Sequence, residues 1–501
     1  MVLITLILLV TAVTGSDAAL RFSASYGDHM VLQRGPQKAV VWGHADKNGE
    51  NVTIQIVGHG SPVQATTANG MWKVKLPSMT SPGPFNITAS SSEGNVSLHD
   101  VLFGDVWVCS GHRGMVFDMK SVNNSAYEIK KALTFDKIRF FHVFADQSLT
   151  PLADIRHVKT PWTAPKATPV RAFSALCLLY GEYLYSHRGY PIGLIESAWG
   201  AGTTIEDWSG PDAITACPRK HATKRIPVEA PSVAWNAMVN PLGSTTIYGA
   251  IWFQGASNLD NYTGSGETEL YVCQQPAMVK DWRNKFHSDS MGETSLNFPF
   301  GFVQLGAYGS WLNKTGRFPG MRWAQTGKMG YVPNTKMPNF FMAVAMDLPD
   351  FHNPHGIINS RFKQDVAERL GLASLAVAYG EKGLSYQGPY PSSFNTKTTG
   401  DLVIEYDNGL SVLDIRATGG FDICCSATSQ TTCGLNDTWV DAPVLTHSGA
   451  TLTLNVTGCL NEHWVGLRYS WRESPCEFKK CCVYGRDNDL PAPPFIRDTA
   501  F

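Results

Sequence analysis

Between residues 20 and 100, apolar and polar side chains alternate in short runs at 30–33, 39–42, 52–57, 71–76 and 85–89. A period of two turns one face of each run inward and the other toward water, and the Val, Ile, Thr and aromatic residues suit that pleated surface, so strands are predicted. Gly35-Pro36, Asn69-Gly70 and Pro82-Gly83-Pro84 punctuate them, which makes the segment a small antiparallel β domain. Past residue 100 the pattern changes. Apolar runs at 105–109, 138–143, 192–197, 247–253, 300–305 and 340–345 alternate with longer helical stretches at 172–187, 271–286 and 360–370. Strand, helix, strand in succession predicts an α/β unit, a mostly parallel sheet with helices on both faces. From about 395 the β pattern returns at 402–406, 410–415, 444–446, 451–456 and 464–470. The expected division is an N-terminal β domain at 20–100, an α/β domain at 101–395 and a Cys-rich β domain at 396–501.

Ahead of them, the apolar block from Val2 to Val13 ends in the small residues Thr14, Gly15, Ser16 and Ala18. It is too short for a membrane span and reads as a signal peptide over residues 1–19, with cleavage expected near Gly15 or Ala19. No later run approaches the roughly 20 apolar residues of a transmembrane helix, so no membrane insertion is expected. A net charge of −1 gives nucleic acid nothing to be drawn to. Eight Asn-x-Ser/Thr sequons, at Asn51, Asn86, Asn95, Asn123, Asn261, Asn313, Asn436 and Asn455, point to a glycosylated secretory product. Eleven cysteines suit the same oxidising compartment, and the odd count leaves at least one thiol free, intermolecular or unusually bonded. Cys424, Cys425, Cys433, Cys459, Cys476, Cys481 and Cys482 crowd the last domain; without CxxC or histidine spacing they read as disulfides rather than a zinc site.

Ligands of an open α/β sheet sit at the carboxyl ends of its strands, so the loops after each strand hold the candidate chemistry. The first runs from Asp105 to Met115, a buried strand, Asp-Val-Trp-Val-Cys, leading into Ser-Gly-His-Arg-Gly-Met. It resembles the opening of the sialate O-acetylesterases, esterases of SGNH-hydrolase type whose strand ends in Cys-Ser-Gly-Gln-Ser-Asn-Met with the nucleophilic serine fifth. Further stretches are similar to that family in the same order: Leu102-Phe-Gly-Asp-Val-Trp107, Tyr190-Pro-Ile-Gly-Leu-Ile195, Val233-Ala-Trp-Asn-Ala-Met238, Trp252-Phe-Gln-Gly255, 337–348, 378–382 and 490–496. The resemblance implies an SGNH-hydrolase-like sheet between two β domains, a secreted or lysosomal location, and an ester-cleaving history on O-acetylated sialic acids. No cofactor and no metal is expected.

The same register empties the catalytic positions. A serine esterase needs a nucleophile, a base for its proton and donors for the oxyanion. Arg113 stands where the family has its serine, and the family's Gly-Ser-Ile-His-Pro falls on Gly356 to Ser360, which puts Asn359 in place of the histidine. Gly-Glu-Ser-Asn becomes Gly255-Ala256-Ser257-Asn258, losing a carboxylate but keeping Asn258 as an oxyanion donor or sugar ligand. Trp-Gly-Gly-Thr becomes the longer Trp199 to Thr204 loop, which holds Gly200.

Ser110, with His112 beside it, and Ser257 are the serines that could stand in as nucleophile, although Ser257 reads first as a pocket-lining hydroxyl. His352 and His355 could swing in as base, the plainer reading being a polar loop. Arg113 is either a plug paired with Asp105 or Asp347, or a two-pronged ligand for a sialic acid carboxylate. Gln254 and Asn258 are residue types that hydrogen-bond to sugars. Trp199, Trp208, Trp235 and Trp252 read as core before sugar platforms. Three functions remain open at this point: an impaired or inactive pseudoenzyme that binds sialic-acid-containing glycans or a protein partner, an active esterase with a rebuilt site, and a structural secreted glycoprotein.

Overall fold

A computed structural model describes residues 20–499 apart from 201, 220–229, 262–265, 310–311, 313–315, 398–400, 427–430, 434–436 and 460–462. The predicted signal peptide and the sequons at Asn313 and Asn436 lie outside the described residues, as does the side chain of Asn261. Strand β1 (Gly94–Gly111) begins in the N-terminal β region, pairing antiparallel with Phe85–Ser91, and ends as the middle of the central sheet. The expected junction at 100/101 therefore falls inside one continuous strand. Its outer half alternates in burial; from Val101 to Gly111 every residue is buried, as a strand covered on both faces requires.

The remaining central strands are β2 (Ile138–Val143), β3 (Val158–Thr163), β4 (Ile192–Ala198), β5 (Gly249–Phe253), β6 (Phe300–Gln304) and β7 (Phe340–Val344). They stand in the order β3-β2-β4-β1-β5-β6-β7, all parallel except the edge strand β3. This is the mostly parallel α/β sheet read from the sequence. Helices α1 (Arg113–Val116), α2 (Ala175–Arg188), α3 (Ala256–Asn261), α4 (Glu267–Asp289) and α5 (Lys363–Val377) matter most for the pocket. Helix α2 starts where the Ser174 hydroxyl accepts the Cys177 N–H at 3.2 Å and stops at Gly189, whose positive φ of 72° ends the turn. With α5 it covers one face, joined by the Tyr180 hydroxyl to Ser374 at 2.9 Å and by the Cys109–Cys177 disulfide to β1. On the other face, α4 sets Trp282 edge-on to Trp252, which meets Trp208 in the same way.

The C-terminal region holds two four-stranded antiparallel sheets. Cys424–Cys433 and Cys425–Cys459 tie the strand Phe421–Ser426 to two segments outside the strands, and Cys476–Cys481 closes a short loop. Cys217–Cys273 ties the start of α4 to a neighbouring helix. Cys482 is the odd cysteine, buried and free. Cys424 and Cys433 come close to Asp437, but sulfurs joined to each other offer a metal no thiolate. Arg322, fully buried, fastens this region to the sheet: its guanidinium donates to the carbonyls of Leu305, Gly306, Arg472 and Glu473 at 2.6 to 2.7 Å. Of the remaining sequons, Asn51, Asn86, Asn95 and Asn123 are exposed and Asn455 is half-buried. Among the described residues no helix is long and apolar enough to cross a membrane.

Candidate functional site

A cavity of about 360 Å³ opens at the carboxyl ends of the strands, lined by the loops after β1, β4, β5, β6 and β7. Its floor is shaped by a sharp turn at the end of β1. Gly111 has φ 125°, and a Cβ there would stand 2.5 Å from the Phe253 carbonyl oxygen, so only glycine brings the two strand ends this close. The His112 N–H then donates to that same oxygen at 2.8 Å, and α1 begins at Arg113.

Arg113 and Asn359, expected at the emptied nucleophile and base positions, both line the cavity, together with Ala256, Ser257 and Gln254. Arg113 is exposed and carries no ion pair among the described residues. The plug reading fails in its partners. Asp105 lies six residues before the end of β1 at Gly111, about 20 Å at the strand rise, and is engaged by Arg34, Gln33, Tyr190 and Tyr379 at 2.9 to 3.1 Å. Asp347 is held by both prongs of Arg369 and by Tyr484. Among the described residues the lining contains no carboxylate, and Arg113 is the one full charge in it.

The stand-in nucleophiles fare differently. Ser110 is fully buried in the sheet, its hydroxyl without a partner among the described residues, and does not line the cavity. Ser257 does reach it, and its Oγ lies 3.0 Å from Nδ1 and 3.2 Å from Nε2 of His112. An oxygen in line with Nδ1 would stand about 5 Å from Nε2; one within reach of both nitrogens rests over the ring face, where neither in-plane lone pair can take its proton. The Gly202 N–H donates to Nε2 at 3.0 Å, which assigns the ring proton to Nδ1. Burial first, then the Arg113 guanidinium, pull the imidazole down to about 4, with the Gly200 backbone opposing, so it is neutral near pH 7. His352 and His355 are exposed and outside the lining, the His355 ring lying edge-on to Phe117, so neither takes the base position.

Asn258 corrects a second expectation. It is fully buried, its Oδ1 accepting from the Ile205 N–H at 3.0 Å and the Gln254 amide at 2.7 Å, its Nδ2 donating to Glu206 at 3.1 Å. Burial opposes the charge on Glu206, but Arg219 and Gln274 overcome it and hold the carboxyl below its usual range. Asn258 is thus a strut between loops and not an oxyanion donor. Gln254 touches the cavity but spends its amide on Thr203 and Asn258 and its Oε1 on the Tyr271 hydroxyl. Gly200 is half-buried against Val116 and does not line the cavity; the glycine of that loop that does is Gly202. Trp208 and Trp252 are wholly buried and Trp235 nearly so, as core residues, while Trp199 is half-buried.

Leu305, Tyr308 and Ile358 also line the cavity. Sequence reasoning passed over them, although the rule about strand-end loops already covered the turns after β6 and β7. Behind the cavity, Lys363 is buried with its ammonium 4.6 Å from the Phe117 ring and 5.8 Å from Phe253; burial lowers it to about 7 against the pull of Asp350.

Comparison with known proteins agrees with this architecture. Residues 392–499 match the family described as Sialate O-acetylesterase C-terminal domain. The chain is 38% identical to the sialate O-acetylesterase of Mus musculus, covering 98% of this chain and 97% of that one. It is also 38% identical to the Homo sapiens protein of the same name, over 98% and 94%. A solved carbohydrate acetylesterase from Xanthomonas citri superimposes with a TM-score of 0.79 at 26% identity, over 95% of this chain and 99% of that one.

Proposed function

Because the chain belongs to the sialate O-acetylesterase family, we propose that it is a member that binds acidic glycans in the family's pocket without cleaving their esters, a secreted or lysosomal glycoprotein. The observation that carries this reading is the pair Arg113 and Asn359, both lining one cavity. A guanidinium cannot be acylated as a serine is, and asparagine has no nitrogen that titrates near neutral pH. The Ser257 hydroxyl over the His112 ring does not replace them, because the lone pair that should accept its proton lies elsewhere. What the cavity keeps is size and charge: its volume suits a single sugar, and Arg113, with no carboxylate among the described lining residues, favours an anion. A guanidinium meets a carboxylate through two parallel hydrogen bonds, and a charge-assisted hydrogen bond contributes about 1.5–3 kcal/mol.

The test is calorimetry of N-acetylneuraminic acid and a neutral hexosamine against the unmutated protein and Arg113→Ala, beside an ester-turnover assay. Tighter binding of the acidic sugar, lost in Arg113→Ala, with no turnover above a Ser110→Ala/Ser257→Ala control, supports the reading. One observation favours a second reading, a working esterase with a rebuilt site: Ser257 and His112 do touch. Turnover that Ser257→Ala abolishes would establish it.

A further inference from the structure

Among the described residues, the wall of the cavity formed after β6 carries one exposed aromatic ring. Tyr308 is 39% exposed, whereas Phe253, the other aromatic carbocycle in the lining, is 8% exposed and faces Gly114 and Lys363. One face of the Tyr308 ring is covered by Phe318, stacked at 4.5 Å and 7° from parallel, so its exposure belongs to the opposite face and the edge. The backbone is fixed as firmly: the Tyr308 N–H donates to the Glu473 carbonyl at 3.1 Å, and the Ser474 hydroxyl donates toward the Tyr308 and Gly309 carbonyls at 3.2 and 2.7 Å. Those two residues belong to the C-terminal segment that Arg322 locks to the sheet. A flat apolar face, held in place before any ligand arrives and sharing a cavity with a free guanidinium, is suited to the C–H face of a pyranose.

Resting on the acidic-glycan reading above, we propose that Tyr308 is the stacking platform for the sugar ring, and that it sets affinity for the ring while Arg113 sets preference for the acid. The two roles separate in one experiment. N-acetylneuraminic acid and N-acetylglucosamine are titrated by calorimetry into the unmutated protein, Tyr308→Phe, Tyr308→Leu, Tyr308→Ala and Arg113→Ala, and sugar proton shifts are followed by NMR. Tyr308→Phe is expected to bind within about twofold of the unmutated protein, while Tyr308→Leu and Tyr308→Ala weaken both sugars by about fivefold or more and leave their ratio unchanged. Upfield ring-current shifts of the pyranose C–H protons are expected with Tyr308 and Tyr308→Phe and lost with Tyr308→Leu, which keeps an apolar residue if the smaller alanine disturbs the fold. Unchanged binding and unchanged sugar shifts in Tyr308→Leu overturn the platform while leaving the anion reading intact. Binding of neither sugar to the unmutated protein overturns both.

Discussion

Arg361 grips Asp350 with both prongs, Nε to Oδ2 at 2.6 Å and Nη2 to Oδ1 at 2.8 Å, and its backbone N–H reaches the same Oδ2 at 3.1 Å. The grip closes the loop that carries His352, His355 and Asn359, and so fixes one wall of the cavity. Burial of Asp350 opposes its ionisation, but the hydrogen bonds from Arg361 outweigh it and hold the carboxyl below its usual range. A carboxyl depressed in the folded state contributes stability that is complete above its unfolded pKa near 4 and disappears as pH falls through the folded value. Asp350→Asn is therefore expected to cost about 1–3 kcal/mol near pH 7 and progressively less below about pH 4. Denaturant unfolding of both proteins at neutral and acid pH measures this; an equal loss at both would assign the effect to packing.

Restoring catalysis should need two changes at once. Nucleophile and base act as a unit, so Arg113→Ser or Asn359→His alone is expected to leave ester turnover at background, and only the double variant to raise it. Recovery stays small, because Ala256 replaces a carboxylate and Asn258 is committed to Glu206. Turnover by Arg113→Ser alone would mean that a histidine already present serves as base. Hydrolysis of O-acetylated sialic acid by the three variants decides.

His112 is expected to stay neutral until about pH 4. Its folded value is depressed, so its contribution to stability is whole above the unfolded value near 6.5 and is lost as pH falls toward 4. Arg113→Ala removes one cause of the depression and leaves burial, so the midpoint rises without reaching the unfolded value. NMR titration of the imidazole proton in both proteins reads the shift directly, and an unchanged midpoint would show that the guanidinium points away from the ring.

Thiol chemistry should find a single target, and only after unfolding. Five disulfides account for ten of the eleven cysteines. Cys482 is buried, which pushes its thiol up to about 12, and it donates to the Ala417 carbonyl at 2.9 Å. Iodoacetamide under non-reducing conditions is expected to label no site in the native protein and one per chain in guanidinium, identified by mass spectrometry. Native labelling at Cys482 would contradict the buried thiol.

Elements with a strong period were readable from sequence. Ile138–Val143 and Leu402–Tyr406 stand at the residues expected, since nothing in them competes with the strand pattern. Val158–Thr163 was missed because Pro161 interrupts it; an edge strand tolerates a proline that a central strand does not. In the pocket, Arg113, Ala256, Ser257 and Asn359 were found through the family resemblance, whose motifs fall on loops that the parallel strand order brings to one edge of the sheet. Asn258 was misread because its partner, Glu206, is 52 residues away and is itself charged through Arg219; no local motif records such a chain of bonds. Tyr308 was missed because its loop has no motif, and its role depends on Phe318 behind it.

Strand β1 carries a constraint of another kind. Its first half is registered against Phe85–Ser91, its middle against Val31–Gln33, and its last seven residues against β4. Because side chains alternate faces, inserting or deleting one residue anywhere along it turns every later position over, moving Gly111 off the close approach that Phe253 demands. The segment 94–111 is thus closed to length change, and at Gly104 and Gly111 to a side chain as well. Arg113, just beyond the strand, lies where a lineage can exchange one residue's chemistry for another's and still inherit the cavity that surrounds it.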